Sequence, residues 1–468
     1  MLTYIKINGF KSFQNFEMAF TPLTVIAGVN ASGKSNLFDA LQLLSRLADT
    51  DLKTAFSEQR GNPNELFTQY GEDLYQTEMD FVVEMLVNRK IKDNWGGEAE
   101  LNNTRLRYQL SIARTINELG IQILTITHES LEKIVPENDI WIQQMGKKSN
   151  HLWKTLKLGG SKEPFIRTDK SRDTIAIQIR QDGNSLGKQF PIKVLKQTVL
   201  GGISSIDYPH AYATREEIRN WKFLQLNPAD LREPTRQDAG LKDTISHSGK
   251  NLPAALFRIK QTDPYTIKEI SRKLNTFLPN FTDVDVYDDK ANAQYLIKLK
   301  GEEGKFFSSR VLSEGTLRLL ALCILEYDEK HSGLLCFEEP ENGIHPFRIA
   351  AMAKLLKDLS SDLSEDEKTL RQVIVNTHSP VLIGKLIQWE YDFNVSVWLC
   401  SQHAFIGNFN GHKSKVRVTR TTQVIKKTDS GKQLQLFSTE QERKLTLSEV
   451  QKILDSVDSE KALKALEG

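Results

Sequence analysis

Cysteine is nearly missing from this chain: three residues in 468, Cys323, Cys336 and Cys400, lie far apart and mostly inside apolar runs. No CxxC pair and no Cys/His zinc spacing occurs, which excludes a disulfide scaffold and predicts buried thiols in a reducing cytosol. Long apolar runs are missing too. Nowhere do about 18 apolar residues follow one another, so no spanning helix is expected. The opening MLTYIKINGFKSF alternates polar and apolar residues and lacks the apolar core of an export signal. An excess of one charge sign is also absent: 62 basic against 60 acidic residues leave +2. A globally basic coat for nucleic acid is thereby excluded, although a local patch is not. There is no internal repeat, no low-complexity linker and no heptad array long enough for a coiled coil. These absences leave a soluble, cytoplasmic globular protein of two or three domains, or of one domain carrying a large insertion.

What is present comes in three stretches. "LTYIKINGF" and "PLTVIAGV" read as strands, the second ending in a glycine-rich turn, with Leu37, Ala40, Leu41 and Leu44 at helical spacing after it. "EMDFVVEMLV" reads as a further strand. From about 90 to 295 short alternating strands are broken by polar turns and two helices, "NLPAALFRIKQ" and "YTIKEISRKLNTFLP". The third stretch holds a helix from Glu314, the strand "GLLCF", a helix near 346–358, the strand "QVIVNT" and further strands. Thr446 and Glu449 are spaced for a capping box on a final helix.

Chemistry concentrates at the two ends. "GVNASGKS", Gly28 to Ser35, fits G-x-x-x-x-G-K-S between a strand and a helix, the context of a phosphate-binding loop. Gly28 and Gly33 let the backbone amides turn inward, and the helix N-terminus adds partial positive charge. Lys34 supplies a point charge for β- and γ-phosphates, and the Ser35 hydroxyl suits Mg2+. Asn30, Ala31, Ser32 and Asn36 complete the expected nucleotide-binding set. Such a loop needs carboxylates at the end of a neighbouring strand, and "GLLCFEE" supplies them. Glu338 is expected to hold the metal and Glu339 to polarise the attacking water. Ser313 and Gly315, in "LSEGT", offer a hydroxyl and backbone amides to a second phosphate site. His378, at the end of "QVIVNT", has the reach to donate to a γ-phosphate oxygen.

The order of these motifs resembles the ATPase heads of the ABC superfamily, in the branch of SMC, RecF and OLD-like proteins. "GVNASGKS" is similar to Walker A, "LSEGT" to the signature, "LLCFEE" to Walker B, "PENGIHP" to the D-loop and "NTH" to the switch histidine. The resemblance covers roughly 1–85 and 295–400. It implies an α/β fold, an ABC-type head with a mixed sheet assembled from both chain ends. Residues 1–89 and 295–468 would form the head, and 90–294 an inserted α+β lid without a long coiled coil. It further implies ATP and Mg2+ as cofactors, ATP hydrolysis with Glu339, His378 and Lys34 as the catalytic set, Lys11 near the nucleotide and Gln69 as a metal-side glutamine.

The partners it implies are a second copy, met head to head around two ATPs through Ser313, and possibly a larger assembly. Two departures, Glu314 in the signature and Glu338 where Asp is commoner, look like stand-alone bacterial ATPases of the OLD-like group, many tied to anti-phage defence. A separate effector, a nuclease or toxin, is therefore expected. A RecF-like DNA-repair ATPase and a nucleotide-bound scaffold stay open as alternatives. DNA binding stays open with them: Lys413, Lys415 and Arg417 alternate along one strand, with Arg420, Lys426 and Lys427 nearby. An edge strand guarded by basic residues explains the same pattern. The acidic run Asp283, Asp285, Asp288 and Asp289 precedes the signature in a strand meander, so no nuclease centre is expected there.

Overall fold

The computed structural model describes residues 1–425 except 73, 146–155, 160–162, 172–173, 182–186, 239–242, 365–369, 390–391 and 410–411, together with 445–446. In chain order its strands begin with β1 (Leu2–Asn8), β2 (Phe16–Ala19), β3 (Leu23–Ala27) and β4 (Glu78–Leu86). A small ribbon, β5 (Lys90–Lys92) and β6 (Glu98–Glu100), precedes β7 (Arg105–Ile116), β8 (Gln122–Lys133), β9 (Ile166–Asp169), β10 (Ala176–Arg180) and β11 (Gly187–Pro191). Then come β12 (Lys222–Leu224), β13 (Thr235–Arg236), β14 (Phe281–Asp289), β15 (Gln294–Gly301) and β16 (Phe306–Ser308). The last group is β17 (Gly333–Glu338), β18 (Arg371–Thr377), β19 (Val395–Phe409), β20 (His412–Ile425) and β21 (Leu445–Thr446).

One sheet runs β12-β17-β18-β3-β19-β20-β21, parallel from β12 to β19. Its central strands β3, β17 and β18 are largely apolar on both faces because both faces are covered. Leu335, Phe337, Val373, Val375, Leu23 and Val25 face a core built with the helices Leu252–Thr262, Pro264–Phe277 and Glu314–Tyr327. Leu334, Cys336, Ile374 and Ile26 face the opposite way, into a core shared with the helix Lys34–Leu47. All three cysteines are buried and free. The carboxylate-bearing strand was expected directly beside the P-loop strand. Instead β18 lies between β3 and β17, pairing with each. The long side chains at the strand ends close that gap.

A second sheet is antiparallel, ordered β11-β10-β9-β8-β7-β4-β1-β2. The stretch 90–294 therefore divides. β7 pairs with β4 from Glu78 to Leu86, so β7 to β11 extend the sheet that the first residues began. β4 offers an open edge with an alternating pattern, and covering that edge satisfies its backbone groups. The helix Pro209–Arg219 lies on the P-loop helix, where Ser45 Oγ donates to the Arg219 carbonyl at 3.1 Å. β12 joins the edge of the parallel sheet beside β17. β13 to β16 form a small sheet of their own, as do β5 and β6. No helix among the described residues is long and apolar enough to cross a membrane.

Candidate active site

Between Ala27 and Lys34 the chain turns twice through left-handed backbone, at Ala31 (φ 64°) and Gly33 (φ 98°). Such turns point successive amides into one concavity, which favours an anion. At Gly33 the backbone angle and the space both require glycine, since a Cβ would stand 2.1 Å from Thr419 Oγ1. Asn30 and Ala31 are exposed at the apex of the loop. Lys34 is buried, and its Nζ donates to the carbonyls of Gly28 (2.7 Å) and Val29 (2.8 Å). Burial holds its ammonium below the ordinary lysine range, against the pull of the nearby carboxylates of Glu339, Glu338 and Glu341. Ser32 Oγ is buried without a hydrogen-bond partner. A cradle with inward amides, one ammonium and a spare hydroxyl suits a phosphate chain.

The metal-side residues meet across 303 positions of sequence: Ser35 Oγ donates to Glu338 Oε1 at 2.8 Å. Ser35 is the second residue of its helix and Glu338 the last of β17. A hydroxyl and a carboxylate in contact are hard oxygen donors, the set Mg2+ takes alongside phosphate and water. The residues present thus fit both ATP and Mg2+. Gln69 is not brought to them. It is exposed, and its amide donates to the Gly71 carbonyl at 2.9 Å, closing a local turn.

Glu339 follows Glu338 in left-handed backbone (φ 46°), which turns its side chain out of the strand direction. Its N–H donates to the Asn376 carbonyl at 2.8 Å, so β18 holds it in place. Its Oε1 lies 2.8 Å from His378 Nδ1, and its Oε2 accepts from Asn342 Nδ2 at 2.8 Å. The structure therefore joins Glu339 and His378 in one pair. Beside them Thr377 Oγ1 donates to buried Glu341. Asn342, Glu341 and Thr377 belong to the quoted stretches, but sequence reasoning assigned them no role.

Ser313 caps the helix Glu314–Tyr327, its Oγ accepting from the Thr316 N–H at 3.3 Å, and is itself exposed. At Gly315 a Cβ would stand 3.2 Å from the Gly343 carbonyl, so the signature turn packs on the loop after β17. Lys11 is held by an ion pair with Asp39 (2.6 Å), whose other oxygen takes Arg60 (2.7 Å). It is a brace on the P-loop helix. Its neighbour Ser12 does more: Ser12 Oγ accepts from Asn36 Nδ2 (2.7 Å) and meets Thr419 Oγ1 (2.6 Å). Thr419 Oγ1 and Cys400 Sγ each donate to the Ser32 carbonyl at 3.3 Å. Thus β19 and β20 back the loop. No motif marks Ser12, Cys400 or Thr419, and their contacts span nearly the whole sequence.

Lys415 and Arg417 are exposed along β20, while the alternate residues Val416 and Val418 are buried against Tyr70. Lys413 lies on the same strand, and Arg420 donates to the Gln14 carbonyl at 2.7 Å. Lys426 and Lys427 lie outside the described residues, as do Glu449 and the final helix; Thr446 pairs with Ile425 on β21. The acidic run falls on β14 and is spent locally: Asp285 pairs with Lys260, Asp283 accepts from Ser271, Asp288 from Gln237 and Asp289 from Asn292.

Residues 1–383 match the family model described as AAA ATPase domain. Among solved structures the chain is similar to an SMC head bound to the C-winged helix domain of ScpA, at 12% identity over 89% of this chain and 98% of that one, TM-score 0.47. It is similar also to an SMC head with an extended coiled coil bound to the C-terminal domain of ScpA from Pyrococcus furiosus. That match has 12% identity, 98% and 99% coverage and a TM-score of 0.42. The SMC head domain from Thermotoga maritima matches at 13% identity, 89% and 98% coverage and TM-score 0.36. No curated protein matches the chain.

Proposed function

The chain belongs to the AAA ATPase domain family, and from that premise we propose that it binds and hydrolyses ATP with Mg2+ and dimerises head to head around the nucleotide. The observation that carries this reading is the 2.8 Å contact between Ser35 and Glu338, beside the Glu339–His378 pair. In this reading the inward amides and Lys34 bind the phosphates, Lys34 exchanging two loop carbonyls for phosphate oxygens. Ser35 and Glu338 would hold Mg2+, which when bound draws charge from the β- and γ-oxygens. Glu339 orients water and accepts its proton on a carboxylate oxygen. His378 holds that carboxylate from the Nδ1 side. The exposed Ser313 of the partner subunit closes over the γ-phosphate, so ATP joins the two copies and hydrolysis releases them.

The dimer controls a separate effector, a nuclease or toxin of an anti-phage system; Glu314 and Glu338, the variants shared with OLD-like ATPases, support this. The test is Ser313→Arg. Turnover should be lost while a fluorescent ATP analogue still binds the monomer. Loss of that binding refutes action across the dimer. Copurification with the tagged chain identifies the effector. Exposed Lys415 and Arg417 favour a second reading, direct DNA binding, which requires affinity that falls steeply with salt and is weakened by Lys415→Glu and Arg417→Glu.

A further inference from the structure

"PENGIHP" has the composition of a solvated loop, and a glutamate in it should point to water. Glu341 does the opposite: it is 7% exposed. Burying a carboxyl costs several kcal/mol unless its oxygens are paired. One oxygen accepts a hydrogen bond from the Thr377 hydroxyl, and the other is buried without a partner. Burial pushes this carboxyl above the ordinary range, the Thr377 hydrogen bond opposing. A group kept at such a cost beside a reactive pair is a candidate for function.

The Thr377 hydroxyl has a second task. While donating to Glu341 it accepts the Ser379 N–H at 3.0 Å. The residues on both sides of His378 are therefore tied through one hydroxyl, and that hydroxyl is aimed by Glu341. One residue earlier, the Asn376 carbonyl holds the Glu339 N–H. The end of β18 is thus bonded, residue by residue, to the loop that follows β17. The ladder fixes the backbone that carries the imidazole, and the ring itself meets the Glu339 carboxylate at 2.8 Å.

We infer that Glu341 is a positioning residue for the hydrolysis proposed above: acting through Thr377, it fixes the His378 ring against Glu339. The inference rests on the ATPase reading for its kinetic consequence, but the ring geometry can be read without nucleotide. Removing the clamp lets the 376–379 turn relax. A ring displaced by about 1 Å lowers turnover on the order of 10²-fold. Binding of ATP, which uses the P-loop, is not touched.

The experiment compares Glu341→Ala, Glu341→Gln, Thr377→Val and the Glu341→Ala/Thr377→Val double variant in the full chain. Steady-state ATP hydrolysis is measured together with histidine ring 15N NMR of the nucleotide-free protein, His378 being assigned by its loss in His378→Gln. Glu341→Ala and Thr377→Val should each lower kcat on the order of 10²-fold at unchanged KM, and the double variant should be no slower than either. Glu341→Gln keeps an oxygen for Thr377 and should restore most of the loss. The His378 signals should move in the Ala and Val variants and return in Gln. His378 signals unmoved by Glu341→Ala overturn the inference, as do additive kinetic losses or a Gln variant as slow as Ala. Should Glu341→Ala fail to fold, Thr377→Val against Thr377→Ser decides the same point. If the wild type turns over no ATP, the ATPase reading falls while the ring signals still decide the clamp.

Discussion

Replacing Glu339 with glutamine separates chemistry from structure in one change. The amide has the same length and can still accept from Asn342 Nδ2, where Oε2 now does at 2.8 Å. Its NH2 would face His378 Nδ1, which a neutral ring can meet as acceptor. What is lost is the negative charge and the proton-accepting oxygen. The Glu339–His378 pair is 30% and 43% exposed, so its contribution to stability is screened and under about 1 kcal/mol. A melting shift of no more than about 3 °C should follow. Removing a general base costs far more, about 10²- to 10⁴-fold in turnover, or roughly 3–5.5 kcal/mol of barrier. The variant should therefore fold, bind ATP and stay dimeric with ATP on size exclusion, while phosphate release collapses. Turnover within about threefold of wild type, less than 1 kcal/mol of barrier, refutes the assignment of Glu339.

Two further outcomes test other parts of the argument. Glu129 on β8 is fully buried, accepts from the Val199 and Leu200 N–H groups and the Tyr108 hydroxyl, and is pushed by burial from 4.5 to about 7. Because the folded state prefers the protonated form, its stabilising effect is complete below 4.5 and is lost as pH rises towards 7. The unfolding free energy from urea melts should fall between pH 5 and 8 by on the order of 3 kcal/mol, and Glu129→Gln should flatten that dependence; an unchanged wild-type free energy overturns it. Gly33→Ala puts a Cβ 2.1 Å from Thr419 Oγ1 at φ 98° and should abolish binding of a fluorescent ATP analogue. Adding Thr419→Ala restores space but not backbone ease, at about 1–2 kcal/mol, so recovery should be partial. Full binding by Gly33→Ala alone would show that the loop is not held as described.

The local elements of the site were legible because each depends on a few residues at fixed spacing. Strand, turn and helix around Gly28–Ser35 follow from pattern alone, and the apolar run before Glu338 announces a buried strand. What pattern does not carry is which edge pairs with which. β7 to β11 alternate like any half-buried strands, and nothing in that alternation says they continue the sheet of β1 and β4. The placement of β18 between β3 and β17 is hidden for the same reason. The Lys11 ion pair was hidden because its partner, Asp39, lies one turn beyond the P-loop in an ordinary helical pattern. Gln69 satisfied a spacing and then closed its own turn. Thr419 had no local signature, since its role arises only where β20 passes behind Gly33.

The central position of β3 sets a timetable for the newly made chain. Its hydrogen-bonding neighbours, β18 and β19, lie on either side of it and near the far end of the sequence. At roughly 5–20 residues per second, the ribosome needs about 20–70 s to supply them after β3 has emerged. For that interval an apolar strand waits with both edges unpaired, the condition in which chains aggregate or recruit a chaperone. The nucleotide loop is likewise unbacked until Cys400 and Thr419 have been made. In the proposed ATPase reading, a fragment ending before β19 lacks that backing and should bind ATP more weakly than the full chain.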